Sequence, residues 1–83
     1  MSEKKAIVSA IPGVFYRKPS PEKDVYVNEG DEVKEGDIIG LVEVMKNFYE
    51  VKASDDGIVE SFQVESEEVV EAGQEVAILK VNK

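Results

Sequence analysis

The chain repeats itself. Displaced by 37 positions, Val27 falls on Val64, Val33 on Val70, Gly36 on Gly73, and Leu41-Val42 on Ile78-Leu79. The matching positions are mostly apolar residues or glycine, which set packing and turns. A unit this short cannot bury a face alone, so two copies must close around one shared core. The chain has 83 residues, and one domain is expected at that length. A domain of this size hides only about 60% of its unfolded surface. No room is left for an enzyme pocket behind the core.

Helical periodicity is weak, Val and Ile are abundant, and glycines punctuate at short intervals. That pattern predicts an all-β fold of short strands. Strands are expected over 5–9, 13–15, 26–27, 38–44, 47–53, 58–64 and 75–81, with brief pairing near Val33 and Val70. Turns are expected at Glu29-Gly30-Asp31, Glu35-Gly36-Asp37 and Asp55-Asp56-Gly57, where glycine supplies a positive φ. Two such halves, related by a pseudo-twofold, make a flattened barrel or sandwich.

The repeat has one defect. Gly13-Val14 matches Gly57-Ile58 at an offset of 44, not 37, so the first half carries seven extra residues between Phe15 and Val27. The segment 16–26 includes Pro19-Ser20-Pro21. Its prolines deny it ladder hydrogen bonds and stiffen it. A projecting polar loop is expected there.

Between the two copies lies Glu43-Val44-Met45-Lys46-Asn47. With Met45-Lys46 as a two-residue turn, Val44 faces Asn47, Val42 faces Tyr49 and Gly40 faces Val51. Cross-strand partners share a face, so Val42, Val44, Tyr49 and Val51 are expected to point to the core. Glu43 and Phe48 then lie on the opposite, more solvated face. Nothing in Met-Lys favours such a turn, for which Asn-Gly is far more usual. The pair points to selection for something other than turn stability.

Little other chemistry is available. The chain has no cysteine, so disulfides and thiolate metal sites are excluded. It has no histidine, the commonest general base and metal ligand. Asp55-Asp56 and Glu67-Glu68 lack the alternating ligand spacing of a calcium loop and read as solvated turns. A net charge of −8 argues against nucleic acid and anionic membranes as partners. No apolar stretch reaches the roughly 18 residues of a membrane span. Met1-Ser2-Glu3-Lys4-Lys5 leads into too short an apolar run for a secretory signal. A cytoplasmic location is the expectation. An exposed lysine ammonium is protonated at neutral pH and a poor nucleophile. Lys46 therefore reads as the target of a modifying enzyme, not as a catalyst.

Glu43-Val44-Met45-Lys46 resembles the Glu-Ala-Met-Lys-Met attachment motif of biotinyl domains, within the biotinyl/lipoyl carrier superfamily. The resemblance runs from about Ala6 to Val81. Gly13-Val14-Phe15-Tyr16-Arg17-Lys18-Pro19-Ser20-Pro21 is similar to a stretch of the biotin carboxyl carrier proteins of multisubunit acetyl-CoA carboxylases. In that family the next loop is a protruding thumb. The resemblance implies a flattened β-barrel of two four-stranded antiparallel sheets, with the modified lysine at a hairpin tip. It implies a lead-in over 1–5, a carrier domain over 6–83 and a thumb over about 16–26. The expected cofactor is biotin, joined to Lys46 through an amide by a biotin protein ligase. Glu43, Val44, Met45 and Asn47 would form the hairpin that the ligase reads, and Pro19, Ser20 and Pro21 the thumb. The implied partners are the biotin carboxylase subunit, which uses ATP and bicarbonate, and the carboxyltransferase subunit, which converts acetyl-CoA to malonyl-CoA. The domain itself is expected to be monomeric, and a carrier, not an enzyme.

Two positions depart from the family motif. Val44 stands where Ala is usual, and Asn47 where Met is usual. Lipoyl domains typically place Asp before the lysine and Ala after it, and Met45 and Asn47 match neither. The alternatives are a lipoyl carrier, or an unmodified binding or scaffold module of the same fold. The family's usual assembly segment and Pro/Ala-rich linker are not seen ahead of the domain. A stand-alone paralogue and an excised domain both agree with that.

Overall fold

A computed structural model describes residues 2–82. Eight strands follow one another: β1 (Ser2–Val8), β2 (Gly13–Tyr16), β3 (Glu32–Val33), β4 (Ile38–Val44), β5 (Asn47–Lys52), β6 (Gly57–Phe62), β7 (Glu68–Val70) and β8 (Glu75–Asn82). They form two four-stranded antiparallel sheets, ordered β1-β8-β6-β3 and β5-β4-β2-β7. Advancing every strand by four places, with β8 passing to β4, turns the first order into the second. That exchange is the pseudo-twofold which the 37-residue repeat predicts. The molecule is flat, with extents of 41 × 27 × 19 Å.

The symmetry reaches individual bonds. The Gly36 N–H donates to the Ala53 carbonyl (2.9 Å), and the Gly73 N–H to the Ser9 carbonyl (2.7 Å). The core draws on matched positions of both halves: Val33 with Val70, Val42 with Leu79, Ile7 with Val51, and Phe15 with Val59, all buried. Burying each such side chain contributes roughly 1.5–3 kcal/mol. One exchange breaks the match. The first half has Phe15 and Gly40 where the second has Val59 and Ala77. A Cβ on Gly40 would lie 2.6 Å from two Phe15 ring carbons. The larger ring is accommodated by the missing methyl.

Strand edges differ from the expectation in ways that have causes. β1 starts at Ser2 and takes in residues 3–5, which pair with Val81, Lys80 and Leu79 instead of leading into the domain. Segment 26–27 is not a strand. The Tyr26 N–H is taken by the Arg17 carbonyl and the Val27 carbonyl by the Arg17 side chain, so no ladder can form. Val33 and Val70 do pair, each in a very short strand. Gly30 and Gly36 have positive φ as expected, but Gly57 does not. Its role is close approach: a Cβ there would lie 2.6 Å from the Lys80 carbonyl oxygen.

Candidate functional site

The β4–β5 hairpin has the expected register: Val44 pairs with Asn47, Glu43 with Phe48, Val42 with Tyr49 and Gly40 with Val51. Val42 is buried and Val44 packs on the core, as does Val51. Tyr49, expected on the core side, is instead 50% exposed. Strand β5 is the edge of its sheet, paired with β4 alone among the described residues, and an edge position leaves its side chains less covered.

Met45 and Lys46 form the tip, with φ of 51° and 70°. Two consecutive left-handed residues give the primed turn whose twist suits a tight hairpin. For side chains with a Cβ this conformation costs about 1–2 kcal/mol per residue. Such an outlier points to function. Met45 is 89% exposed. Lys46 is exposed, and its ammonium makes no ion pair among the described residues. The lysine thus stands clear of the surface on a stalk anchored in the core by Ile39, Val42 and Val44.

The outward face of the same sheet carries a second group. The Tyr16 hydroxyl donates to Glu43 Oε1 (3.0 Å), and the Tyr16 and Phe48 rings lie 6.2 Å apart. The Glu43 hydrogen bond raises the Tyr16 phenol above its ordinary value, helped by burial and by the charges of Glu43 and Glu67. Leu41, opposite Tyr16, is 8% exposed although it lies outside the central core. A groove runs between this face and the 17–27 loop. It is lined by Pro19, Ser20 and Pro21 on the loop, by Tyr16, Glu43 and Phe48 on the sheet, and by Ser66 and Glu67 beyond.

The residues singled out by sequence therefore separate into three places. Met45, Lys46 and Asn47 are exposed at the tip, Val44 turns inward, and Glu43 joins Pro19, Ser20 and Pro21 at the groove. Tyr16, Phe48 and Glu67 were missed as parts of this groove. The hairpin register already set Phe48 opposite Glu43, and the repeat set Glu67 on Gly30. Glu67 has kept the positive φ of that glycine, at 71°. Among the described residues no group of acidic side chains could hold a metal ion, and no helix is long and apolar enough to cross a membrane.

The family model described as biotin-requiring enzyme, covering biotin and lipoyl attachment, matches residues 5–79. The chain belongs to the biotin/lipoyl attachment family. This biotin/lipoyl domain is a non-catalytic carrier. It is 36% identical over 80 residues to the biotin carboxyl carrier protein of acetyl-CoA carboxylase from Streptococcus pyogenes, covering 96% of the chain and 48% of that relative. The protein of the same name from Pseudomonas aeruginosa is 41% identical over 66 residues, covering 80% of the chain and 42% of the relative. The chain thus spans about half the length of the curated relatives it matches. Among solved structures, Kluyveromyces lactis urea carboxylase superposes with a TM-score of 0.76 at 27% identity, over 93% of the chain and 6% of that protein. An aspartoacylase family protein from Mesorhizobium loti superposes at 0.70 and 26% identity, over 89% of the chain and 24% of that protein. The family implies a covalently held biotin. The residues fit such a group, since amide attachment needs an accessible amine, and Lys46 offers one without unburying any core side chain.

Proposed function

We propose that Lys46 is the biotin attachment residue, and that the chain serves as the biotin carboxyl carrier of an acetyl-CoA carboxylase. The observation that carries this reading is an exposed, unpaired lysine on a strained turn at the tip of a core-anchored hairpin. A biotin protein ligase would read Glu43, Val44, Met45 and Asn47 around it. In the attachment step the Lys46 ammonium loses a proton to the ligase. Its amine nitrogen then bonds to an activated biotin carboxyl carbon, the bond from that carbon to the activating group breaks, and the nitrogen's second proton passes to solvent. Once bound, the biotin ring supplies a site that takes up a carboxyl group and gives it up.

The chain's own part is mechanical. The hairpin fixes the arm's root, and the tether makes each delivery quasi-intramolecular, raising its effective concentration. The loop with Pro19, Ser20 and Pro21 stands beside the outward face of the hairpin and limits where the arm can rest. The partners in this reading are a biotin carboxylase subunit and a carboxyltransferase subunit, in the cytoplasm. The names of the matched relatives support acetyl-CoA as the acceptor, as does the insertion before Val27. The urea carboxylase likeness is to the fold.

The test is intact mass after co-expression with a biotin ligase and free biotin, with fragmentation across Met45-Lys46-Asn47. One biotin-sized increment on Lys46 is expected. No increment, from a ligase that labels a Met-Lys-Met control, would overturn the reading and assign the defect to Val44 and Asn47.

A further inference from the structure

The loop that walls the groove makes no ladder bonds, yet one residue ties both of its ends down. The Arg17 N–H donates to Ser66 Oγ (3.2 Å). The Arg17 carbonyl accepts from the Tyr26 N–H (3.0 Å), closing the loop where it returns. The guanidinium reaches the same place: Nη2 donates to the Val27 carbonyl (3.2 Å). Its carbon lies 4.2 Å from the centre of the Phe62 ring, which belongs to β6 of the other sheet. Entry, exit and the facing sheet are thus joined through a single residue, whose backbone holds Ser66 and Tyr26 and whose guanidinium holds Val27 and Phe62.

The chemistry asks for arginine. A planar guanidinium can stack on a ring while an edge N–H donates to a carbonyl, and a lysine ammonium cannot do both. Arg17 makes no ion pair among the described residues, although Glu29 and Glu65 line the same cleft. Its Nε is buried without a partner. Stacking on Phe62 and the Val27 carbonyl therefore aim the fork, with no carboxylate to help. A hold of that kind resists salt, since no exposed charge pair is there to be screened.

We infer that Arg17 is the positioning residue of the thumb, holding the 18–26 loop at a set place beside Glu43 and Phe48. The role toward the arm rests on Lys46 as the attachment residue, whereas the hold on the loop does not. The experiment compares wild type with Arg17→Lys in two readouts. In the unmodified chain, amide exchange at the Tyr26 N–H should speed up about tenfold, the loss of one ordinary hydrogen bond's worth of protection. The Ala53 N–H, which bonds Asp37 in the barrel, should exchange as before. After biotin labelling, the variant is offered to a purified bacterial biotin carboxylase subunit with ATP and bicarbonate. Its kcat should fall about tenfold through misplacement, with KM for the carrier and the rate of ligase labelling unchanged. Unchanged Tyr26 exchange, or equal acceleration at Tyr26 and Ala53, would overturn the inference. So would full turnover despite a loosened loop. If the wild type takes no biotin, the attachment reading fails alone, and the Tyr26 and Ala53 comparison still decides whether Arg17 holds the loop.

Discussion

Gly40→Ala tests whether the two halves of the barrel solve one packing problem in two ways. The added Cβ would stand 2.6 Å from two Phe15 ring carbons and 2.8 Å from the Tyr16 carbonyl oxygen. Phe15 is fully buried, so its ring has nowhere free to go. Overpacking of this kind costs about 1–3 kcal/mol, and the backbone contact puts Gly40→Ala in the upper part of that range. Phe15→Val alone leaves a cavity and should cost roughly 2–4 kcal/mol. Together the two changes rebuild the Val59 and Ala77 pair of the second half. The double variant should then cost about 1–2 kcal/mol less than the sum of the singles, a coupling usual for contacting residues. Rescue stays partial because the Tyr16 carbonyl is unmoved. The assay is urea unfolding with unchanged slope, so that midpoints report stability. In a domain of this size, 1 kcal/mol corresponds to about 4–8 °C in Tm. Costs that add within about 0.5 kcal/mol would refute the argument, as would a neutral Gly40→Ala.

Lys46→Arg should abolish ligase-dependent labelling and move Tm by no more than about 4 °C, because surface changes usually stay within about ±0.5 kcal/mol; mass spectrometry and a thermal melt check both. Gly30→Ala should cost about 1 kcal/mol although nothing lies within 4 Å of its Cβ position, since the penalty is the left-handed φ itself. Glu67→Gly, at the symmetry-related site, should exceed Glu67→Ala in stability by a similar amount, read by denaturant midpoint. In an alkaline titration followed by tyrosinate absorbance, Tyr16 should ionise above its ordinary 10.0, and Glu43→Gln should bring it down. A raised value means that the folded chain holds the proton more tightly. The associated stability is complete below the ordinary value and is lost as pH rises through the raised one.

The repeat offset made most of the barrel legible. Paired apolar positions name the core, and the change of offset from 37 to 44 locates the loop. Hairpin register followed from one assumption, a two-residue turn at Met45-Lys46. Burial was harder to read, because alternation assigns Tyr49 to a face but does not say that β5 is the edge strand of its sheet. The groove was mostly hidden. Tyr16 meets Glu43 across 27 residues and Arg17 meets Ser66 across 49, and no local pattern encodes such a contact. Gly57 looked like a turn residue because it follows two aspartates. Its need for glycine comes from a neighbouring strand's carbonyl, far off in sequence.

The pseudo-twofold also gives the Lys46 turn a counterpart. The pair Val44 and Asn47 maps onto Val81 and Glu3, which face each other in the other sheet. Where one half joins its paired strands β4 and β5 by the turn that carries Lys46, the other half has β8 and β1, paired but not consecutive in the chain. Connectivity is therefore a matter of where one ring is cut. A short link from β8 to β1, with the chain opened at Met45-Lys46, would trace the same barrel in permuted order. A load applied between the start of β1 and the end of β8 would fall first on that pair, leaving the β4–β5 stalk outside the line of force.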